Sequence, residues 1–308
     1  MTRRWIAFAL TVSLCLLTLP AFAGNGYEDY KTTREVRRLL AETSNTRLID
    51  VPGRGPTTYY AQTNPFWDRM RYEIAGSSTY RRFGEGGCCP TSAAIAFANL
   101  LTVEQLGAIR PYASKRASGG FGISTGVMNP LNMAKRNGVY WLDRAQDYYD
   151  LLPLVFGQFA AGNNSKGSIW RAKPKEWQVS KGGTNSGFIP KLAEIYGLTC
   201  TQLRGKDDMS FVEPVQNGAT AVALANSQWH PFASGIGHYL AIVHVDDEYV
   251  YFFDPQDKTA YADDREGILE VVESGLVRVK LENFHGCHIG LIYVLSTPEI
   301  DAKIAEQS

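Results

Sequence analysis

The stretch from Thr91 to about Leu101 constrains this chain more than any other. Ala94, Ile95, Ala98 and Leu101 recur at helical spacing, and Ala93, Ala96 and Phe97 make the same helix apolar nearly all round. A helix with no polar face has no solvent side, so it belongs at the centre of a core. A chain of 308 residues can build that core without disulfide or metal staples. Immediately upstream stands Gly86-Gly87-Cys88-Cys89-Pro90. The glycines make a close turn, and Pro90 suits the first turn of a helix, where a missing N–H is harmless.

Met1 to Gly24 opens with Arg3 and Arg4, runs apolar from Trp5 to Leu19 and closes with Pro20 and Ala21-Phe22-Ala23. This pattern predicts a secretory signal peptide, residues 1–23, cleaved after Ala23. Its apolar run is shorter than the roughly 20 residues a spanning helix needs, so a secreted or periplasmic location without a membrane partner is expected. Residues 24–57 read as a polar N-terminal extension with a helical candidate from Thr32 to Thr43. Leu48 to Thr58, punctuated by Pro52, Gly53, Gly55 and Pro56, reads as irregular. Residues 58–296 form the expected domain and 297–308 a C-terminal tail.

Within the domain, Arg110 to Gly187 mixes Gly, Asn and Ser with Tyr140, Trp141, Tyr148, Tyr149, Trp170 and Trp177, which predicts helices joined by long loops. Ile189 to Tyr196, stopped by Gly197, and Phe211 to Gln216 are short helical candidates. From Thr220 the periodicity changes to strand: Ala219 to Ala225, Gly237 to Val245, and Tyr249 to Phe253, with Asp246-Asp247-Glu248 turning between the last two. Ile268 to Val272, Val277 to Lys280 and Ile289 to Leu295 add further short strands. Helices followed by antiparallel strands predict an α+β fold.

Charge and cysteines narrow the function. The 31 basic residues balance the 31 acidic ones, so there is no long-range field to gather nucleic acid, and none is expected as a partner. Beyond the signal the chain has Cys88, Cys89, Cys200 and Cys287. Neighbouring Cys88 and Cys89 join each other only through a strained ring. If one of them is a working thiol, Cys200 with Cys287 is the expected structural pair. His285, Cys287 and His288 fit no standard zinc spacing and show no fourth ligand, so no metal or cofactor is expected.

A thiol at a helix start meets unpaired backbone amides and the positive end of the helix dipole, which favours the thiolate. Cys88 or Cys89 is therefore placed to be nucleophilic. Acyl transfer by a thiol needs a base, usually histidine, and an acceptor that holds the histidine tautomer. His238, opening one strand, and Asp254, closing the next, meet that need because the turn at Asp247 returns both to one rim of the sheet. Singly each residue has an ordinary reading: a core cysteine, a strand histidine, an Asp-Pro that ends a strand. His244, six residues beyond His238, is expected to face the same side and serve the core, and His230 to lie in a loop near the cleft.

Gln62, Gly87-Cys88-Cys89-Pro90-Thr91-Ser92, Gly237-His238-Tyr239 and Asp254-Pro255, in that order, resemble papain-like cysteine peptidases, in particular the secreted branch similar to bacteriocin-leader-processing (double-glycine) peptidases. The resemblance covers roughly Thr58 to Val294. It implies a papain-like fold, with a helical part carrying the nucleophile packed on an antiparallel sheet carrying His and Asp. It also implies Cys88 as nucleophile, His238 as general base and acid, Asp254 as the orienting group and the Gln62 amide as an oxyanion donor. Cys89 stands where that family usually has glycine. The expected activity is cleavage of a peptide or other amide through a thioester. An acyltransferase or cell-wall crosslink hydrolase on the same triad, and a degenerate binding module, are the alternatives.

Overall fold

The computed structural model describes residues 46–65, 67–68, 71–72, 81–108, 145–161, 179–180, 183–205, 208–225, 229–233 and 235–307. The expected signal peptide, the helix expected from Thr32 to Thr43, and the aromatic residues Tyr140, Trp141, Trp170 and Trp177 lie outside them. The chain opens with a hairpin of β1 (Arg47–Val51) and β2 (Gly55–Tyr59), then the short strands β3 (Arg71–Tyr72) and β4 (Arg81–Arg82). Helices α1 (Phe83–Gly86), α2 (Cys88–Ala98), α3 (Val103–Ala108), α4 (Ala145–Asp150) and α5 (Leu152–Ala161) follow, then β5 (Val179–Ser180), β6 (Gly183–Thr184) and α6 (Phe188–Tyr196). The remainder is β7 (Thr199–Arg204), α7 (Val212–Gln216), β8 (Thr220–Ala225), β9 (His238–Val245), β10 (Tyr249–Phe253), β11 (Glu270–Glu273), β12 (Leu276–Lys280), a 3-10 segment (Leu281–Cys287), β13 (Ile289–Ser296) and α8 (Pro298–Gln307).

Among the described residues, seven strands form one sheet in the order β11-β12-β10-β9-β8-β13-β7, with every neighbouring pair antiparallel. Mixed helices and an antiparallel sheet are thus present. Apolar residues cover both faces. Val222, Tyr239, Ala241 and Tyr293 face a cluster with α2, α5 and α6, whereas Ala221, Ala223, Leu240, Ile242 and Ile292 face a second cluster with Phe211, Phe232 and Phe284. This explains why β8 and β9 read as continuous apolar runs rather than alternating ones. Helix α2 is buried from Cys89 through Ala98, as its uniform apolarity requires.

Two expectations change. The segment read as irregular is the β1–β2 hairpin, and its Ile49 and Val51 are buried in the cluster around α2. The folded body therefore begins inside the expected extension, ahead of residue 58. Its turn was hidden because Gly53 and Gly55 take left-handed backbone, with φ of +79° and +86°, which resembles loop punctuation in sequence. The expected tail, in turn, forms α8, whose Asp301 carboxylate accepts hydrogen bonds from Thr199 and Ser296.

The hairpin also locks an irregularity in β9. Tyr251 pairs with His244, but Phe252 pairs with Ile242, so Val243 is an extra, bulged residue. The Arg54 guanidinium, at the hairpin turn, donates to the Val243 carbonyl and to that of Asn99. A bulge reverses the parity of a strand. His244 consequently packs beside Tyr251 and over Gly53 on the α2 side, while His238 shares parity with Leu240 and Ile242, which corrects the expectation that the two histidines face one way.

A Cβ on Gly53 would lie 2.7 Å from His244 Nε2, at a φ that disfavours side chains. Gly53→Ala should destabilise the fold by about 1–3 kcal/mol, measured by chemical denaturation, with the remote Cys88 thiol keeping its reactivity.

Candidate active site

Helix α2 begins at Cys88, three residues earlier than its apolar pattern suggested, because the periodic run marks only the part that packs. Gly87 precedes it in a tight turn: its N–H donates to the Phe83 carbonyl at 2.7 Å and its own carbonyl accepts from Thr91 N and Thr91 Oγ1. No other residue fits here. A Cβ on Gly87 would lie 2.6 Å from the Phe83 carbonyl oxygen and 2.7 Å from its ring. Cys88 is partly exposed, whereas Cys89 is fully buried behind it.

The Cys88 sulfur meets the sheet at the first residue of β9. There the His238 side chain and the backbone N–H groups of Tyr239 and Cys89 act on the thiol and favour its charged form. Burial alone would raise the Cys88 pKa, but the hydrogen bond and charge of His238 outweigh it, and the thiol sits below its ordinary value. Cys89 goes the other way. Burial and then the neighbouring Cys88 charge push it well up, although its thiol touches the Tyr239 side chain.

His238 is buried, and its Nε2 lies 2.7 Å from Asp254 Oδ1. Burial opposes a charged ring, but the Asp254 charge and hydrogen bond, followed by Cys88, raise the His238 pKa to about 9. Asp254 is likewise buried, and burial opposes its charge; the His238 charge leads the opposing effects and holds the carboxyl below its usual range. Its Oδ1 also accepts from Gln256 N at 2.9 Å, and its Oδ2 accepts from the Tyr261 hydroxyl at 3.0 Å. The Asp254 backbone is fixed too: its N–H donates to the Gly275 carbonyl, and its carbonyl accepts from the Tyr59 hydroxyl at 2.8 Å. Gly275 permits that arrangement, since a Cβ there would lie 2.6 Å from the Tyr59 ring.

Gln62, fully buried, joins the site from two sides. Its backbone N–H donates to the Pro255 carbonyl at 2.7 Å, next to Asp254, and its side-chain Nε2 donates to the Gly84 carbonyl at 2.6 Å, in the helix leading to Gly87. Cys88, His238 and Asp254 thus form one connected chain of contacts, and Gln62 is tied to both of its flanks. Tyr59, Tyr239 and Tyr261 were not anticipated as supports. Tyr261 lies in a segment with no periodic signal, and only the fold brings it to Asp254.

The other candidates make different contacts. His230 is a loop staple: its ring meets the Ile236 carbonyl at 2.7 Å and its Nδ1 accepts from Ala233 N. Cys200 and Cys287 are free thiols, contrary to the expected bridge. Cys200 packs with the cluster on the α2 side and Cys287 with the opposite cluster, so the sheet stands between them. Among the described residues no group of three or more His, Cys, Asp or Glu is arranged to hold a metal ion, and no helix is long and apolar enough to cross a membrane.

No protein-family model matches the chain, and no curated protein does. One solved structure that it resembles is a C39-like peptidase from Bacillus anthracis, at 17% sequence identity and a TM-score of 0.26. The match covers 37% of this chain and 60% of that one, less than two thirds of its length. The chemistry therefore rests on the site itself.

Two outcomes follow from these electrostatics. At neutral pH iodoacetamide should label Cys88 ahead of Cys89, Cys200 and Cys287, since burial raises the latter three, Cys200 to about 12; peptide mapping by mass spectrometry reads the order. Asp254→Asn removes the charge that raises His238, so the imidazolium is lost at lower pH and the Cys88 thiol pKa rises. The pH midpoint of Cys88 alkylation should move upward accordingly, and an unmoved midpoint would contradict the assignment.

Proposed function

We propose that this protein is an exported papain-like cysteine peptidase or amidohydrolase, with a peptide or other amide as substrate. The observation that carries the reading is the buried His238–Asp254 pair, 2.7 Å apart on the sheet rim, acting on the Cys88 thiol at a helix start. Cys88, as thiolate, attacks the carbonyl carbon of the scissile amide, and the carbonyl electrons move onto oxygen. His238 then gives its proton to the leaving amine as the C–N bond breaks, leaving a thioester. It next takes a proton from water, which attacks the thioester and releases the acid and Cys88. Asp254 orients the imidazole and stabilises its charged form throughout.

Negative charge on the carbonyl oxygen exists only near the transition state, so donors aimed there accelerate the step selectively. The Cys88 backbone N–H, unpaired within the helix as a first-turn donor, is one proposed donor. Gln62 is the other: an amide has two N–H bonds, and Gly84 takes one. Cys89 has no step to perform. Its buried side chain fills space beneath the nucleophile. Export follows from the signal pattern at residues 1–23.

The same thioester would pass to an amine in an acyltransferase, so product analysis by mass spectrometry with and without an added primary amine separates the two reactions. Hydrolysis products alone are expected. Activity against a library of quenched peptides should vanish in Cys88→Ala. It should persist in Cys89→Gly at about 1–2 kcal/mol lower stability, from a lost buried side chain and a flexible residue in a helix. Loss of activity in Cys89→Gly with retention in Cys88→Ala would exchange the two roles.

A further inference from the structure

We propose that Tyr261 is a positioning residue, which acts through the Asp254 carboxylate to hold the His238–Cys88 pair; the proposal rests on the thiol-hydrolase reading of the site. The two oxygens of Asp254 are divided between partners. Oδ1 meets His238 Nε2 at 2.7 Å and Gln256 N at 2.9 Å, and Oδ2 accepts from the Tyr261 hydroxyl at 3.0 Å. The terminal torsion of an aspartate is soft, so a carboxylate held at one oxygen alone rocks about that contact. A donor on the second oxygen fixes its plane, and with it the direction of the hydrogen bond to the imidazole.

Tyr261 is suited to that task because its ring is itself anchored. It stands edge-on to Phe232, with centroids 6.0 Å apart at 89°, and Lys258 Nζ lies 5.3 Å from its ring centroid. Lys258 also donates to the Phe232 carbonyl at 2.5 Å. Phe232 is buried in the loop that leads to His238. One aromatic ring therefore references both the segment after Asp254 and the approach to His238. A purely structural tyrosine would need its ring there, but not its hydroxyl on a buried carboxylate.

The charged and titratable groups around this contact are known. His238 faces Asp254 from β9, and Lys258 from Asp254's own segment. Tyr59 of β2 and Asp257 act on Tyr261 together with Asp254, and His230 lies near His238. Burial first, then the Asp254 charge, raise the Tyr261 pKa far beyond neutrality, so its hydroxyl remains a donor wherever the thiol titrates.

Tyr261→Phe keeps the ring against Phe232 and Lys258 and removes the hydroxyl alone. In the full-length protein it should shift the pH midpoint of Cys88 alkylation by iodoacetamide upward by about 0.5–1 unit, because a rocking Asp254 supports the imidazolium less well. The same change in an Asp254→Asn background should add no further shift. An unmoved midpoint, a downward shift, or an equal upward shift in the Asp254→Asn background would overturn the proposal. Should Tyr261→Phe fail to fold, Tyr261→Gln, which retains a donor, is compared with Tyr261→Leu. The glutamine variant should hold the lower midpoint, and equal midpoints would overturn the idea. A wild-type Cys88 that alkylates with an ordinary thiol's pH dependence would instead sink the hydrolase reading, which keeps the two failures distinct.

Discussion

A helix that is apolar on every side has to be enclosed along its length, and α2 is enclosed from Cys89 to Ala98. Its N-terminal tip is where enclosure ends. The first-turn N–H groups of a helix have no partners within it, and the dipole makes that tip electropositive. Placing Cys88 there puts a sulfur where negative charge is favoured and where the sheet rim can reach it. The rest of the architecture serves this placement. Gly87 allows the turn that aims the tip, and α5, α6 and the sheet close around the helix body.

The site then works by opposing burial with charge. Cys88, His238 and Asp254 would each be neutral if burial acted alone, since desolvation disfavours every charged form. Each is instead held in or toward its charged form by its neighbour: the carboxylate supports the imidazolium, and the imidazolium supports the thiolate. Such a chain is cooperative, because removing any member leaves an uncompensated buried charge beside the next. Cys89 is the internal control. It has the same chemical group one residue on, lacks the imidazole, and its thiol rises rather than falls.

Much of this arrangement was legible in the residues. The strands Tyr249–Phe253 and Ile289–Ser296 and the helix ending at Tyr196 are close to their expected bounds, since long apolar runs between turn residues have few alternatives. The turn at Asp246 was readable because an aspartate before a tight reversal accepts from the amides two and three residues on, as it does here from Glu248 and Tyr249. The β1–β2 hairpin was not, because its glycine-rich turn looks the same as a loop. β7 also escaped: Thr199–Arg204 is an edge strand of mostly exposed residues with no period-two burial, and its identity comes from pairing with β13.

The sequence by itself determined the central helix, the run of strands after Thr220, and the candidate pair of His238 and Asp254, because hydrophobic periodicity and turn chemistry are local properties. Only the tertiary structure decided that His238 and His244 lie on opposite faces of their strand, since the bulge at Val243 reverses parity between them. Only it showed that Cys200 and Cys287 lie on opposite faces of the sheet, and that Tyr59 and Tyr261 hold Asp254 in place. These are contacts between residues far apart in the chain, set by strand register and loop packing, and no pattern of neighbours along a sequence encodes them locally.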